Sequence, residues 1–274
     1  MINTNMNNRF FILLLCGLMT LTAFDHKTTI RGHVVDANGS GIEYVSIHVD
    51  SLYAVSDRDG NFSLAVPDDM KADLVVNHIS YEPCVLKSSL YCKSNNLTIM
   101  LKEKVNDLAD VAIVSGKKQK SIVDKGMRAP GDVTFHNIKN TTYEIGPLFT
   151  PKKNFFVGSA QLRVQKNTFT SCTIRLIIYE IKGNRFVPVH HSPLYLHLSQ
   201  VSDKRDFTFM PEEPIKLLRS HKYYVGIAVM SSNGVGEIHF PAYLRKGCVR
   251  NLCTDRKKNL PATLGVSLLG IQTK

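Results

Sequence analysis

Tryptophan is absent from the 274 residues. The largest π surface for stacking a sugar ring is therefore missing, which counts against a glycan groove built on exposed indoles, although ten tyrosines remain. The short patterns that carry common chemistry are absent too. None of the ten histidines has Glu at the third following position, and His-Glu-x-x-His does not occur, so both metallopeptidase ligand patterns are missing. There is no G-x-S-x-G elbow and no phosphate-cradling G-x-x-x-x-G-K-[ST] or G-x-G-x-x-G loop. No catalytic residue, metal ligand or cofactor is expected from these patterns. A hydrolase whose site is assembled from residues distant in sequence stays open as an alternative.

Long apolar runs are scarce. The stretch Phe10 to Leu21 (FFILLLCGLMTL) is shorter than the roughly 20 residues that span a bilayer as a helix. With Arg9 before it and Thr22-Ala23-Phe24-Asp25 after it, residues 1–24 read as a signal peptide with cleavage near Ala23. Cys16 is a poor lipid-anchor cysteine, because Leu15 stands where a small residue belongs. No later stretch is apolar enough to span a membrane. The expected location is the periplasm, the outer-membrane surface or the exterior.

Five cysteines follow the leader: Cys84, Cys92, Cys172, Cys248 and Cys253. An oxidising compartment permits Cys84 with Cys92, and Cys248 with Cys253, to close short loops; buried free thiols are the other reading. Neither spacing is C-x-x-C, so a thiolate zinc site is not expected.

Charge is unevenly distributed. Residues 27–103 hold 7 basic and 10 acidic side chains, whereas residues 132–274 hold 20 basic and 9 acidic. The densest cluster is Arg245 to Lys258 (RKGCVRNLCTDRKK), in which Arg245, Lys246, Arg250, Arg256, Lys257 and Lys258 form a candidate anion-contact patch. If Cys248 and Cys253 paired, the loop between them would present Arg250. Export disfavours nucleic acid as the partner; an envelope protein or an anionic glycan fits better.

Three other groups invite a site reading. His190, His191 and His197 lie close together in VPVHHSPLYLHLS, but Pro193 interrupts the strand that would align them. Asp57, Asp59 and Asn61 have the alternating oxygens of a calcium loop without its distal Glu, and read as a turn. Tyr143, Tyr195, Tyr223, Tyr224 and Tyr243 are the aromatics a glycan site would need, and most of them read as core.

Short β-branched runs alternate with turn signals from Thr28 onward, an all-β rhythm. Thr29–Val35, Tyr44–Val49, Tyr53–Ser56, Asn61–Val66, Leu74–Ile79 and Leu97–Leu101 are strand candidates. In the second of these, Val45, Ile47 and Val49 alternate with Ser46 and His48, so one face is core. The set Gly32-x-Val34-x-Asp36, Gly39 to Ile42, Val45-x-Ile47 and Ser56-Asp57-x-x-Gly60-x-Phe62-x-Leu64, followed by LVVNHISYE from Leu74, resembles the carboxypeptidase regulatory-like domain family. That resemblance implies a seven-stranded, prealbumin-like sandwich over about residues 27–103, common in envelope proteins, and no peptidase chemistry. Ser80 departs from the family's usual glycine before the aromatic.

Residues 104–131 read as a closing strand, Val105 to Ser115, and a basic linker, GKKQKSIVDKGMRAPG. Residues 132–274 are again strand-rich, with runs such as CTIRLIIYEI and YYVGIAVM, and fit a second antiparallel, jelly-roll-like sandwich. The expected protein is a non-enzymatic, exported binding or scaffold module whose contact surface lies on the basic C-terminal half. An accessory glycan-binding protein is the main alternative.

Overall fold

The computed structural model describes residues 27–92, 96–104, 119–123, 126–136 and 142–273. The leader over 1–24 and the strand expected at Val105 to Ser115 lie outside the described residues.

The first unit is built from β1 (Lys27–Val35), β2 (Ser46–Val49), β3 (Leu52–Val55), β4 (Asn61–Pro67), β5 (Leu74–His78), β6 (Tyr81–Leu86), a single turn of helix α1 (Ser88–Tyr91) and β7 (Leu97–Met100). These seven strands form two sheets, ordered β4-β1-β7 and β3-β2-β5-β6. Their inward residues, among them Ile30, Val34, Ile47, Leu64, Leu74 and Ile99, make one core. Truncating such a residue, as in Ile47→Ala, removes packing worth about 2–5 kcal/mol. The reversal before β4 needs Gly60: its φ is +85°, and a Cβ there would sit 2.3 Å from the Val34 carbonyl oxygen. Strand β6 was not legible as a strand, because YEPCVL contains Pro83 and lies on the sheet edge with much of its length exposed.

The second unit begins before residue 132. Residues 120–131 of the expected linker belong to two strands, β8 (Lys120–Val123) and β9 (Met127–His136), the second of which runs on into the second unit. Strand β8 pairs with the last strand of the chain and β9 lies along Glu237 to Leu244. Both strands are largely exposed, which accounts for their polar composition. There follow β10 (Tyr143–Phe149), β11 (Asn154–Val164), β12 (Lys166–Lys182), β13 (Arg185–Pro188), β14 (Leu194–Val201), β15 (Arg205–Phe209) and β16 (Ile215–Leu217). The chain ends in β17 (Tyr223–Asn233), β18 (Glu237–Leu244), β19 (Gly247–Asn251), β20 (Lys257–Leu260), β21 (Thr263–Leu264) and β22 (Val266–Thr273).

One sheet runs β20-β19-β10-β17-β12-β18-β21, with β13 and β14 also on β12 and β9 on β18. The other runs β15-β11-β22-β8, with β16 on β11. Phe155, Leu162, Ile174, Ile178, Val225 and Leu268 are among the residues that fill the space between them, giving a second antiparallel β-sandwich.

The two sandwiches are stacked, so that the sheet carrying β2 and β5 covers the outer face of the sheet carrying β12 and β17. Tyr44 packs with Ala228, Met230 and Tyr195, and Ile79 joins Ile177, Tyr179, Phe186 and Tyr224. This explains why CTIRLIIYEI and YYVGIAVM read as nearly unbroken apolar runs: both strands are covered on both faces.

Candidate functional site

Along β12, Ile174, Leu176 and Ile178 point into the second unit's own core. The alternate residues Thr173, Arg175, Ile177 and Tyr179 therefore face the first unit. Strand β2 mirrors this arrangement, because Ile47 and Val49 enter the first unit's core while Ser46 and His48 look outward. Between the two outward faces lies a cavity of about 360 Å³. Ser46, His48, Asn77, His78, Ile79 and Lys104 line it from one side, and Arg175, Tyr179, Phe186, Arg250 and Asp255 from the other.

Its floor is charged. Glu144, on β10, is 1% exposed and stands directly across from Arg250 of β19 in the ladder. Arg250 Nη1 donates to Glu144 Oε1 at 2.8 Å, and Tyr179 Oη donates to Glu144 Oε2 at 3.2 Å. The carboxylate fits because Gly226 lies beside it on β17; a Cβ at 226 would come within 2.6 Å of Glu144 Oε2. Arg250 also donates through Nε and Nη2 to Asp255 Oδ1, at 2.9 and 2.5 Å. Its guanidinium is flanked by the rings of Tyr179 and Phe186, with centroids 4.7 and 4.4 Å away.

Arg175 is placed differently. It is 6% exposed, and its nearest carboxylate oxygen, Glu144 Oε2, is 3.8 Å from Nη2. That distance is too long for a charge-assisted hydrogen bond. Lys104 Nζ donates to the Ile79 carbonyl at 2.8 Å. His78 Nδ1 accepts the Ser80 N–H at 3.2 Å, and its pKa is driven down to about 3 by burial, with nearby Arg175 and Lys104 adding to the effect. The ring is neutral, with the proton on Nε2. Burial likewise lowers the pKa of His48, whose Nδ1 is buried and has no hydrogen-bond partner among the described residues.

The structure divides the basic patch expected from sequence. Lys246, Arg256, Lys257 and Lys258 are exposed on or beside the β19–β20 edge, and Arg245 is half-buried. Arg250 is not displayed on a loop tip: it is a buried member of β19, neutralised by Glu144 and Asp255. Of the two readings open for the cysteines, the described residues carry free thiols at Cys84, Cys92, Cys172, Cys248 and Cys253. Strand β19 carries Cys248 into the cluster between the units, whereas Cys253 follows in a turn held by Asn251 Oδ1, which accepts the N–H groups of Cys253 and Thr254. Cys84 lies on β6, and the Cys92 thiol, just past α1, donates to the Met70 carbonyl at 3.7 Å.

The remaining candidates serve structure. His190 Nε2 accepts the Ile178 N–H, the His191 carbonyl accepts Ser80 Oγ, and His197 Nδ1 accepts from Arg58. The last two contacts fasten the units together. Asp57 Oδ1 accepts the N–H groups of Asp59 and Asn61, a side-chain-braced turn. Tyr223, Tyr224 and Tyr243 are buried, Tyr195 is partly covered by Tyr44, and Tyr143 is exposed. Among the described residues no group of three or more His, Cys, Asp or Glu is placed to hold a metal ion. No helix among them is long and apolar enough to cross a membrane.

Sequence reasoning overlooked Arg175, Glu144 and His78. The available signal was a charge in the middle of a doubly covered strand: Arg175 interrupts CTIRLIIYEI well inside the run, whereas the other charge, Glu180, lies near its end. Glu144 gave no comparable signal, because β10 (YEIGPLF) contains Gly146 and Pro147 and did not read as a strand.

With seven strands in sheets of three and four, the first unit is a small β-sandwich module. Residues 30–113 match the family model of the CarboxypepD_reg-like domain, so the N-terminal part of the chain is a carboxypeptidase regulatory-like domain. No curated protein matches the chain. Eight chains of solved structures match it. One, from a structure of infectious bursal disease virus Gx strain, is 8% identical with a TM-score of 0.30; the match covers 89% of this chain and 62% of that one. At that score the likeness bears on neither unit's function.

Proposed function

We propose that this chain is a non-enzymatic, exported protein of the cell envelope that acts as a binding or scaffold module. Its contact surface is the basic edge of the second sandwich, and its partner is acidic: an envelope protein surface or an anionic glycan. One observation supports this most. Arg256, Lys257 and Lys258 are exposed at the sheet-edge strand β20, Lys246 is exposed at the other end of the same β19–β20 pair, and no carboxylate among the described residues lies within ion-pair distance of them. Unpaired like charges raise the local potential and attract counter-charge over about a Debye length, ~10 Å at 0.1 M salt. Lysines on an edge strand also discourage another chain's strand from adding to it, and the two roles are compatible. The first sandwich supports the second, covering the outer face of β12 and β17 with Tyr44, Val55 and Ile79.

The test is a binding screen of the mature chain against anionic and neutral glycans at two salt concentrations. Binding of anionic members that weakens with salt supports the reading. Failure of every anionic ligand to bind at low salt rejects it.

A further inference from the structure

We infer that the cavity between the two sandwiches is a binding site for a small organic monocarboxylate about the size of a sugar acid, with Arg175 as its anchor. This site is separate from the exposed basic edge and does not depend on it.

The charges around the cavity do not balance. Three cations line or underlie the cavity, Arg175, Arg250 and Lys104, against two anions, Glu144 and Asp255. Arg250 uses its guanidinium on both carboxylates and lies between two rings, and Lys104 is tied to the Ile79 carbonyl. Arg175 keeps its donors: among the described residues its side chain makes no hydrogen bond, only the 3.8 Å approach to Glu144. A guanidinium this buried and this poorly matched is uncommon, since buried charges are ordinarily both paired and hydrogen-bonded. A carboxylate suits it, because the planar fork donates two parallel N–H bonds to one carboxyl group. A single negative charge also balances the count, whereas a phosphate dianion would exceed it.

The remaining lining suits the body of such a ligand. Ile79, Ile177, Phe186 and Pro188 give it apolar walls, while Ser46 and Asn77 add hydroxyl and amide groups. His78, with Nδ1 occupied by the Ser80 N–H, has Nε2–H to donate. The volume of about 360 Å³ is near the lower end of the ~300–1,000 Å³ typical of small-molecule sites. Both sandwiches contribute, so the site exists only when they are stacked.

The experiment titrates the whole mature chain with glucuronate, benzoate, glucose and inorganic phosphate, read by calorimetry and by backbone amide shifts. Saturable binding of either carboxylate, with shifts at Asn77 to Ile79 and Ile177 to Tyr179, is expected, with glucose and phosphate silent. Arg175→Met should weaken that binding at least about tenfold while leaving the thermal midpoint of the unliganded chain equal or higher, since it removes an unbalanced buried charge. The wild-type shift map stands on its own if that variant fails to fold. Equal binding of glucose, binding of phosphate alone, no binding at all, shifts confined to Lys246 and Arg256 to Lys258, or undiminished binding by Arg175→Met would each overturn the inference.

Discussion

Arg250 Nη1 meets Glu144 Oε1 at 2.8 Å beneath the junction of the two sandwiches, and Glu144 has no other guanidinium within hydrogen-bond distance among the described residues. The pair is directly opposed across β10 and β19, so the ladder itself fixes its geometry. Removing Arg250 leaves the buried Glu144 without its 2.8 Å partner, and removing Glu144 leaves Arg250 with Asp255 alone.

Glu144→Ala is therefore expected to destabilise the protein by about 3–5 kcal/mol, because Arg250 and Arg175 lose their shared buried counter-charge. Chemical denaturation measures this directly. A loss below about 1 kcal/mol would show that the pair is solvated in the folded state.

Gly226→Ala probes the same carboxylate from β17. The added methyl would meet Glu144 at 2.6 Å, and overpacking of this kind costs about 1–3 kcal/mol. In the Glu144→Ala background the collision is gone, so the double-mutant cycle should show strong coupling. Additive costs would contradict the geometry.

Tyr44 tests how the sandwiches are joined. Its φ is +54°, an uncommon conformation for a bulky residue, and its hydroxyl contacts Thr173 Oγ1 at 3.1 Å and Ser231 Oγ at 3.3 Å. Tyr44→Phe should cost about 1–2 kcal/mol. Tyr44→Ala, which also removes the contact with Tyr195, should split or broaden a single unfolding transition as the units uncouple. An unchanged, single transition in Tyr44→Ala would place the coupling elsewhere.

Much of this was legible in the sequence, and the exceptions share a physical cause. Turn residues such as Asp57 and Gly60, and the alternation in Tyr44 to Val49, specify the first sandwich locally. The outward face of β2, Ser46 and His48, has the same polarity whether it meets water or a second domain, so the alternation revealed the core and concealed the junction. Arg250 looked like one more charge in a basic run; only its register opposite Glu144 shows that it is buried. Strand β8 and the first half of β9 looked like linker because edge strands tolerate polar residues.

Stability should fall as the pH drops below the ordinary histidine range. Burial is the chief cause holding the pKa of His78 at about 3 and that of His190 at about 4, so both stay neutral in the folded protein while the unfolded chain takes up protons from pH ~6.5 downward. Their contribution is complete above that pH and is lost progressively as pH falls toward 3–4, each by at most ~1.4 kcal/mol per pH unit. His78→Gln should flatten the slope of denaturation free energy between pH ~6.5 and ~4.5, a window chosen to stay above most carboxylate titration. An unchanged slope would mean that His78 is protonated in the folded state.

Thiol chemistry should follow burial. Cys92, the exposed member, should alkylate first in the native protein, whereas Cys172, buried and with its pKa pushed up to about 12, and the buried Cys248 should react only on unfolding. Mass spectrometry after timed alkylation reads the order, and reductant should leave the thermal midpoint unchanged. A shift on reduction would signal a cross-link.

The basic edge bears the central claim, and neutralising its charges tests it most directly. Binding of an acidic polysaccharide to the wild-type chain and to the variant with Lys246, Arg256, Lys257 and Lys258 all changed to Gln is measured at about 50 mM and about 300 mM salt. These four side chains are exposed, so the variant should fold as the wild type does. The account predicts binding by the wild type that weakens at the higher salt and a loss of at least about tenfold in the variant. Equal binding by the two chains, or no binding by either at low salt, would contradict it.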